Sequence, residues 1–328
     1  SLILLFVMRK KFCIKYLNLA SIKIYRLAIL SVLVISLVEM SLAQGPSVPI
    51  LNLAKERGLS NGAVNCINMD SEGYLWLGTW NGLNRWDGSQ IVSYLPGSSP
   101  HSLHNHVVRR IIPLKKGGLW LMTNKGISKY DNQLDEFTAY FDNLPGNLNY
   151  ETDLSMTLAE DSVLFVSVKG RGLYQYISDE KNFRLRDDIH DSLEILQSLV
   201  SIQSSVNGLV LLTNNGKVWR LKGEDLYLIG KFHTNAPLVS TFLFMQGQDE
   251  YFLLVQRNAP ALMMNLKSGK KWQLRISGDF ITHFAPARNI TEIWVGTELG
   301  NLYRFNLSTR IFREIYKSKD YAGEGLFT

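Results

Sequence analysis

Short stretches that alternate between apolar and polar residues recur along most of this chain, separated by turn residues. The clearest set lies between residues 64 and 94. Alternation with a period of two is typical of half-buried β-strands. The predicted strands are Val64–Met69, Tyr74–Gly78, Leu83–Asp87 and Ile91–Tyr94.

Residues with turn chemistry separate these four predicted strands. The first separator, residues 70–73, reads Asp-Ser-Glu-Gly; Asp accepts hydrogen bonds from its own backbone, and Gly adopts positive φ at little cost. Asn81-Gly82 is a strong hairpin signal, and Asp87-Gly88 marks the third turn. The segment therefore predicts one four-stranded antiparallel sheet.

This unit repeats along the chain. Residues 58–88 align with residues 102–131 at a uniform offset of 44. The aligned pairs are Leu59 with Leu103, Asn61 with Asn105, Trp76 with Trp120, Thr79 with Thr123, Gly82 with Gly126 and Asp87 with Asp131. A period of 40–50 residues with β character is typical of β-propellers, whereas helical repeats would show a 3.6-residue period.

Six units are recognisable, each with a large apolar residue in its second strand. We call this the anchor position. The predicted anchor residues are Trp76, Trp120, Phe165, Val210, Phe252 and Trp294. We interpret them as packing between neighbouring sheets rather than as platforms for sugar stacking. Four strands in each unit predict an all-β propeller, with blades at approximately 58–100, 101–145, 150–190, 195–230, 236–276 and 280–318.

Composition is ordinary for a folded protein. The chain is 46% hydrophobic and 20% charged, with a formal charge of +6. Six basic residues and one acid lie in residues 1–43, so the rest is nearly neutral. A neutral body lacks the basic patch that nucleic-acid binding requires.

Residues 1–43 have the three parts of a secretory signal. A basic segment precedes the apolar run Leu27–Val38, and Ser41-Leu42-Ala43 offers a cleavage site. Twelve apolar residues span ~18 Å as a helix, less than the ~30 Å needed for the alternative, a membrane anchor. We therefore predict a cleaved leader at 1–43, a propeller from 44 onward and a periplasmic location.

The segment DSEGYLWLGTWNGLNRWDG, residues 70–88, closely resembles the two-component-regulator propeller repeat. The match is good at 102–131 and 293–305 and weak between 150 and 290. The resemblance implies the periplasmic sensor region of a Bacteroidetes-type hybrid two-component system, which precedes a membrane helix and a kinase. In that family the ligands are typically breakdown products of complex glycans.

The chain departs from that pattern because it contains no kinase motif and no second apolar run. Gly325-Leu326-Phe327-Thr328 aligns with the opening of a repeat, and Ile50–Leu53 lies where an outermost strand would fall. We therefore expect a fragment whose six blades belong to an incomplete seven- or eight-bladed ring. Its isolated form should be poorly soluble, because open blade faces are exposed.

The sequence gives little support for a catalytic site or a metal site, and we predict no cofactor. The Asp70 turn is one residue longer than the sialidase Asp-box. His101, His104 and His106 have spacing that zinc accepts, but they fall in a link between blades where polar residues are expected. Cys66 is interpreted as a small buried residue.

A binding face follows from propeller geometry, since the loops after second strands and the links between blades lie on one side of the ring. The candidate ligand-binding residues are Trp80, Asn81, Asn61, Asn105, Lys125, Lys169, Arg171, Asn214 and Asn215. Amides, an indole and cations suit hydroxylated or acidic sugars. The alternative is that the Asn-Gly and Asn-Lys-Gly segments, Asn81 and Asn215 among them, only form turns, which leaves Trp80 as the stronger candidate.

We therefore predict a non-catalytic, glycan-sensing segment of a hybrid two-component regulator. Its expected partners are an oligosaccharide or acidic sugar, the remaining propeller blades and the downstream sensor domains, with homodimerisation left open. The first alternative is a free periplasmic or secreted propeller that acts as a protein-interaction scaffold. The second is a propeller glycosidase or lyase.

Overall fold

The computed structural model describes residues 58–141, 153–159, 162–189, 192–233, 236–288 and 291–318. All of these belong to one of the two compact units of the chain, Leu53–Thr328. The predicted leader, the strand predicted at Ile50–Leu53 and the repeat opening at Gly325–Thr328 lie outside the described residues.

The fold is a β-propeller, as the repeat predicted, and the described residues form six blades of four antiparallel strands each. The expected incomplete seven- or eight-bladed ring stays a prediction. Blade 1 contains β1 (Val64–Met69), β2 (Leu75–Thr79), β3 (Gly82–Trp86) and β4 (Ile91–Tyr94). Blade 2 contains β5 (Val108–Pro113), β6 (Leu119–Thr123), β7 (Gly126–Asp131) and β8 (Glu136–Tyr140). Blade 3 contains β9 (Leu154–Leu158), β10 (Leu164–Val168), β11 (Gly172–Ile177) and β12 (Asn182–Leu185).

The second half repeats this arrangement. Blade 4 contains β13 (Leu199–Ser205), β14 (Gly208–Thr213), β15 (Lys217–Lys222) and β16 (Asp225–Lys231). Blade 5 contains β17 (Leu238–Gln246), β18 (Asp249–Gln256), β19 (Ala261–Asn265) and β20 (Lys271–Leu274). Blade 6 contains β21 (Ile281–Pro286), β22 (Glu292–Thr297), β23 (Leu302–Asn306) and β24 (Phe312–Tyr316). The short helix α1 (Leu193–Gln197), which the sequence did not predict, leads into blade 4 and buries Leu196.

The turn before β2 confirms the predicted role of Asp70. Its Oδ1 accepts hydrogen bonds from the backbone N–H groups of Glu72 and Tyr74, each at 3.0 Å. Its Oδ2 accepts a hydrogen bond from the Trp76 indole N–H at 2.6 Å. Asp70 therefore closes the turn and also satisfies the polar atom of a buried tryptophan.

The turn after β2 depends on a threonine and a glycine. Thr79 Oγ1 accepts the Asn81 backbone N–H at 3.0 Å and donates to the Gly82 carbonyl at 3.0 Å. Gly82 has φ +106°, and a Cβ there would lie 2.6 Å from the Tyr94 carbonyl oxygen. Only glycine fits this approach of β3 to the outermost strand. Thr123 and Gly126 make the same turn in blade 2.

The anchor residues of the first four blades pack against the next blade along the chain. We call the surface toward the next blade the forward face and the opposite surface the backward face. Trp76 and Trp120 are each 2% exposed. The Trp76 ring lies 5.3 Å from that of Tyr130 in blade 2, and the Trp120 ring lies 4.8 Å from that of Tyr176 in blade 3. Packing between sheets is therefore their role, as predicted.

The anchor prediction for blade 5 is wrong by one residue. Gln256 of blade 5 pairs with Leu238 in the same way that Thr79 of blade 1 pairs with Val64. Trp76 lies three residues before Thr79, so its equivalent in blade 5 is Leu253, three residues before Gln256. Leu253 packs on the forward face against blade 6. Phe252 lies in the cluster with Val210 of blade 4. Successive strand residues point to opposite faces, so a one-residue shift reverses the packing partner.

Side chains of one blade hydrogen-bond the free inner edge of the next blade. The Asn65 and Asn68 amides donate to the carbonyls of Val108 and Ile111, at 3.1 and 3.2 Å. Thr157 Oγ1 accepts the Ser204 backbone N–H at 3.0 Å. Backbone groups of innermost strands thus find partners although no fifth strand covers them.

A buried ion pair joins blade 4 to blade 5. Arg220 and Glu250 lie 2.5 Å apart, with side chains 16% and 6% exposed, and Ser205 also donates to Glu250. Burial acts to raise the pKa of Glu250, but the hydrogen bonds from Ser205 and Arg220 and the Arg220 charge outweigh it. The pKa of this carboxyl therefore lies below its usual value.

Trp120→Ala should lower the free energy of unfolding by about 3–5 kcal/mol, because it leaves a cavity between blades 2 and 3. Trp80→Ala is the matched control and should cost less than about 1 kcal/mol, since Trp80 is 41% exposed. Urea denaturation measures both. Equal losses for the two variants would contradict the packing role.

Glu250→Gln should destabilise the protein by roughly 3–5 kcal/mol at neutral pH, because it leaves Arg220 buried without its counter-charge. The carboxylate has a lower pKa folded than unfolded, so its stabilisation is present above about pH 4.3 and is lost as pH falls through the folded value. The difference between wild type and variant should therefore shrink in acid.

Denaturation at pH 7 and at acidic pH checks this, with Glu180→Gln as the control. Glu180 pairs with Arg184 at the surface, where both side chains are well exposed, so its loss should cost only about 0–1 kcal/mol. A Glu250→Gln difference that stays constant into acid would contradict the assignment.

Candidate ligand-binding face

The strand order places all nine candidate residues on one side of the propeller. Each lies either in a loop that joins the second and third strands of a blade or in the segment that leads into an innermost strand. Backbone bonds join these two kinds of segment: the Gly82 N–H donates to the His106 carbonyl at 2.6 Å, and the Asn214 N–H donates to the Ser198 carbonyl at 2.9 Å.

Three of the asparagines hold turns, as the alternative interpretation proposes for Asn215 but not for Asn61 and Asn105. The side chains of Asn61 and Asn105 accept the backbone N–H groups of Ala63 and Val107, at 2.8 and 2.9 Å. Asn215 accepts from the Thr213 hydroxyl at 2.8 Å and from the Lys217 backbone at 3.2 Å. Their side-chain oxygens are therefore engaged within the protein.

Trp80 lies in the two-residue loop between β2 and β3, and Arg109 of blade 2 lies over its ring. The guanidinium carbon is 4.4 Å from the ring centroid, within the range of a cation–π interaction. Arg109 Nε also donates to Asn124 Oδ1 at 2.8 Å, which orients the guanidinium group. Trp80 nevertheless remains 41% exposed.

Asn81 provides a second link between the same two blades. The His106 ring N–H at Nδ1 donates to Asn81 Oδ1 at 2.9 Å. His106 belongs to the segment that leads into β5, so the loop of blade 1 contacts blade 2 through both its residues. The four side chains Trp80, Asn81, His106 and Arg109 form what we call the Trp80 cluster.

The remaining candidates lie on blades 2 to 4. Lys169 forms an ion pair with Asp153 at 2.8 Å, so its charge is partly neutralised. Four other candidate residues are exposed to solvent; these are Lys125, Arg171, Asn214 and Asn215. They extend the polar surface away from the Trp80 cluster.

The sequence analysis did not select Arg109, His106 or Asn124 as ligand-binding candidates. The repeat contains one signal for Arg109, because at an offset of 44 this residue occupies the position that Asn65 holds in blade 1. In the structure its side chain contacts the blade 1 loop. Its place over Trp80 depends on how blades 1 and 2 pack, which periodicity does not specify.

The described residues include no arrangement of side chains suited to metal binding or to thiol chemistry. No group of three His, Cys, Asp or Glu side chains there could hold a metal ion. His101 lies 3.5 Å from Glu136, whereas His106 bonds to Asn81, so the histidines face different partners. Burial raises the pKa of the Cys66 thiol to about 12, which keeps it uncharged and poorly nucleophilic at neutral pH.

The comparison with family models supplies the identity of the repeat. Residues 58–81 match the model described as two component regulator propeller. This segment of the first blade is therefore similar to the two-component regulator propeller repeat. This match covers the turn of Asp70, the anchor Trp76 and the Trp80 loop, and it agrees with the resemblance found in the sequence.

Solved structures show the same fold over most of the chain. Two are extracellular domains of hybrid two-component systems of B. thetaiotaomicron: BT4673 (20% identity, TM-score 0.60) and BT3049 (18% identity, TM-score 0.63). A third is PorZ, a surface component of the type-IX secretion system of Porphyromonas gingivalis (13% identity, TM-score 0.58). They cover 80%, 82% and 86% of this chain, respectively.

The chain spans only about a third of the length of these three structures: 34%, 37% and 36%. No curated protein matches it. Within the part of the chain that the structure describes, no helix has the length and apolar character needed to cross a membrane.

Asn105→Ala should lower the free energy of unfolding by about 0.5–1.5 kcal/mol, because the Val107 N–H loses its acceptor. Lys125→Ala is the control and should stay within about 0.5 kcal/mol, since that side chain is exposed. Thermal and chemical denaturation measure both. An Asn105 variant as stable as wild type would contradict its role in the turn.

Proposed function

We propose that the chain is the extracytoplasmic, ligand-sensing segment of a longer hybrid two-component regulator that controls glycan utilisation, and that it is itself non-catalytic. The observation that carries the proposal is the regulator repeat at residues 58–81, set in a propeller like those of two hybrid two-component extracellular domains. In this proposal the leader exports the segment to the periplasm, and the kinase lies further along the polypeptide.

The Trp80 cluster supports a sugar ligand. An exposed indole offers a flat apolar surface for the C–H face of a pyranose ring, and Arg109 and Asn81 place hydrogen-bonding groups beside it. Arg109 also favours a carboxylate-bearing sugar, because its guanidinium group presents several donors. We therefore propose oligosaccharides, including acidic ones, as the ligand class.

The same location supports a signalling role. Trp80 and Asn81 belong to blade 1, and Arg109 and His106 belong to blade 2. A ligand bound there contacts two blades and alters how they pack. We propose that this change in packing, or an accompanying dimerisation, biases the kinase domain.

Trp80→Ala should weaken oligosaccharide binding at least ~10-fold, because a truncated aromatic loses its stacking surface. Isothermal titration calorimetry with a panel of neutral and uronic-acid-containing oligosaccharides measures it. Tyr227→Ala is the matched control, since Tyr227 is an exposed aromatic (55%) on the outer strand of blade 4; it should bind like wild type.

Other outcomes separate this proposal from its alternatives. A folded chain that binds no member of the panel would overturn the glycan proposal and favour an interaction scaffold. Shortened oligosaccharide products after incubation would instead favour a glycosidase or lyase.

A further inference from the structure

One residue on the innermost strand of blade 3 satisfies a backbone donor of blade 4 beside the central channel. This residue is Ser155, whose Oγ accepts the Ile202 backbone N–H of β13 at 3.1 Å. Two residues further along β9, Thr157 accepts the Ser204 N–H in the same way. We call the place of Ser155 the edge position, because its side chain covers the free edge of the next innermost strand.

The strand register identifies the edge position in every blade, since its residue pairs with the next-to-last residue of the second strand. The six occupants are Cys66, Arg110, Ser155, Ser201, Ser240 and His283. Arg110 alone among these residue types is permanently charged and carries only hydrogen-bond donors. Its neighbour Ile111 packs against blade 1, so Arg110 points the other way, toward blade 3.

The arginine leaves a backbone donor without an acceptor on the innermost strand of blade 3. Asp153 and Ala159, at the two ends of β9, form backbone bonds with the β10 side, so Met156 directs its N–H to the free edge. Met156 is fully buried. Arg110 and Ile112 face this edge in the places of the serine and threonine of blade 3, and neither side chain accepts a hydrogen bond. The described residues therefore provide no acceptor for the Met156 N–H.

Arg110 itself has no partner in the part of the chain that the structure describes. The residue is half-buried and makes no hydrogen bond or ion pair there through its side chain. Burial lowers the pKa of its guanidinium, opposed by the Cys66 thiol. Burial raises the pKa of that thiol to about 12, so the thiol is uncharged at neutral pH. A desolvated cation without a counter-ion is unfavourable, whereas the buried Arg220 of blade 4 pairs with Glu250.

The separation of the innermost strands leaves room beside Arg110. β5 lies close to β1, and β9 lies close to β13, whereas β5 and β9 approach each other less closely. The larger separation coincides with the interface at which an arginine occupies the edge position. A small group therefore fits between the guanidinium and the edge of β9.

We propose that Arg110 and the Met156 N–H form a binding site for a small oxyanion, which joins blades 2 and 3 beside the central channel. The ligand class is a carboxylate, phosphate or sulfate group. A guanidinium binds such groups through paired, charge-assisted hydrogen bonds, and the backbone N–H adds a further donor. This inference goes beyond the sensing proposal, because the Trp80 cluster joins blades 1 and 2 and needs no charged ligand.

Water is the poorer occupant of this site. A water molecule can accept the Met156 N–H, but it brings no negative charge to Arg110, so the unpaired cation remains. An oxyanion satisfies the donor and the charge together. Its binding should therefore stabilise the folded chain as its concentration rises above the dissociation constant.

Titration calorimetry of the full chain tests the site with inorganic phosphate, sulfate and acetate, at pH 7 and constant ionic strength in Tris chloride. At least one of these anions should bind saturably, with a dissociation constant below about 1 mM. Arg110→Gln should weaken that binding at least ~10-fold, because the charge and the paired donors are lost. Arg313→Gln is the matched control and should bind like wild type, since Arg313 is exposed on the outermost strand of blade 6.

The melting temperature gives a second readout. Without added oxyanion, Arg110→Met should melt at least as high as wild type, because an apolar side chain of similar length removes an unpaired charge. A saturating concentration of the anion that binds best should raise the wild-type melting temperature by at least ~2 °C more than that of Arg110→Met. The change in the variant reports the general effect of the salt.

Three results would overturn the proposal. These are no saturable binding of any of the three anions by wild type, equal affinity in Arg110→Gln, and an Arg110→Met variant that melts more than ~2 °C below wild type without oxyanion. The last result would show that Arg110 has a partner within the protein. Binding of neutral oligosaccharides, and its loss in Trp80→Ala, are separate readouts, so failure of this proposal and failure of the sensing proposal are distinguishable.

Discussion

Burial of one residue between adjacent sheets is the interaction on which this propeller depends. A single four-stranded sheet has two faces and cannot bury both by itself, so each blade is stable only against its neighbours. In blades 1 and 2 the anchor position holds Trp76 and Trp120, which are almost fully covered. Aliphatic residues fill the same position in blades 4 and 5, which explains why the motif fades there without loss of the fold.

Polar groups around the anchors are satisfied locally, and this limits how many remain for a ligand. Asp70 bonds the indole of Trp76, and threonine and asparagine side chains close the loops on the candidate face. Three of the nine candidate side chains, Asn61, Asn105 and Asn215, are therefore engaged in turns. Trp80 differs because its ring contacts Arg109 of the next blade and still stays accessible.

The contacts between blades also relate the candidate site to the fold. The Trp80 cluster lies above the same interface that Trp76 fills, so binding groups and packing groups share two blades. Elsewhere, interfaces are strengthened by charge, as in the pair of Arg220 with Glu250. A propeller is a series of such interfaces, and its response to a ligand depends on which of them is weakest.

The sequence by itself determined the blade architecture, because strand alternation, turn residues and the 44-residue repeat all indicate the same four-stranded unit. It also predicted that the tryptophans pack between sheets, whereas it offered Asn61 and Asn105 as ligand-binding candidates. Packing alone decided two other features: the face of Phe252 and the stacking of Arg109 on Trp80. These depend on one-residue register and on which blades are neighbours, and a period of 44 residues specifies neither.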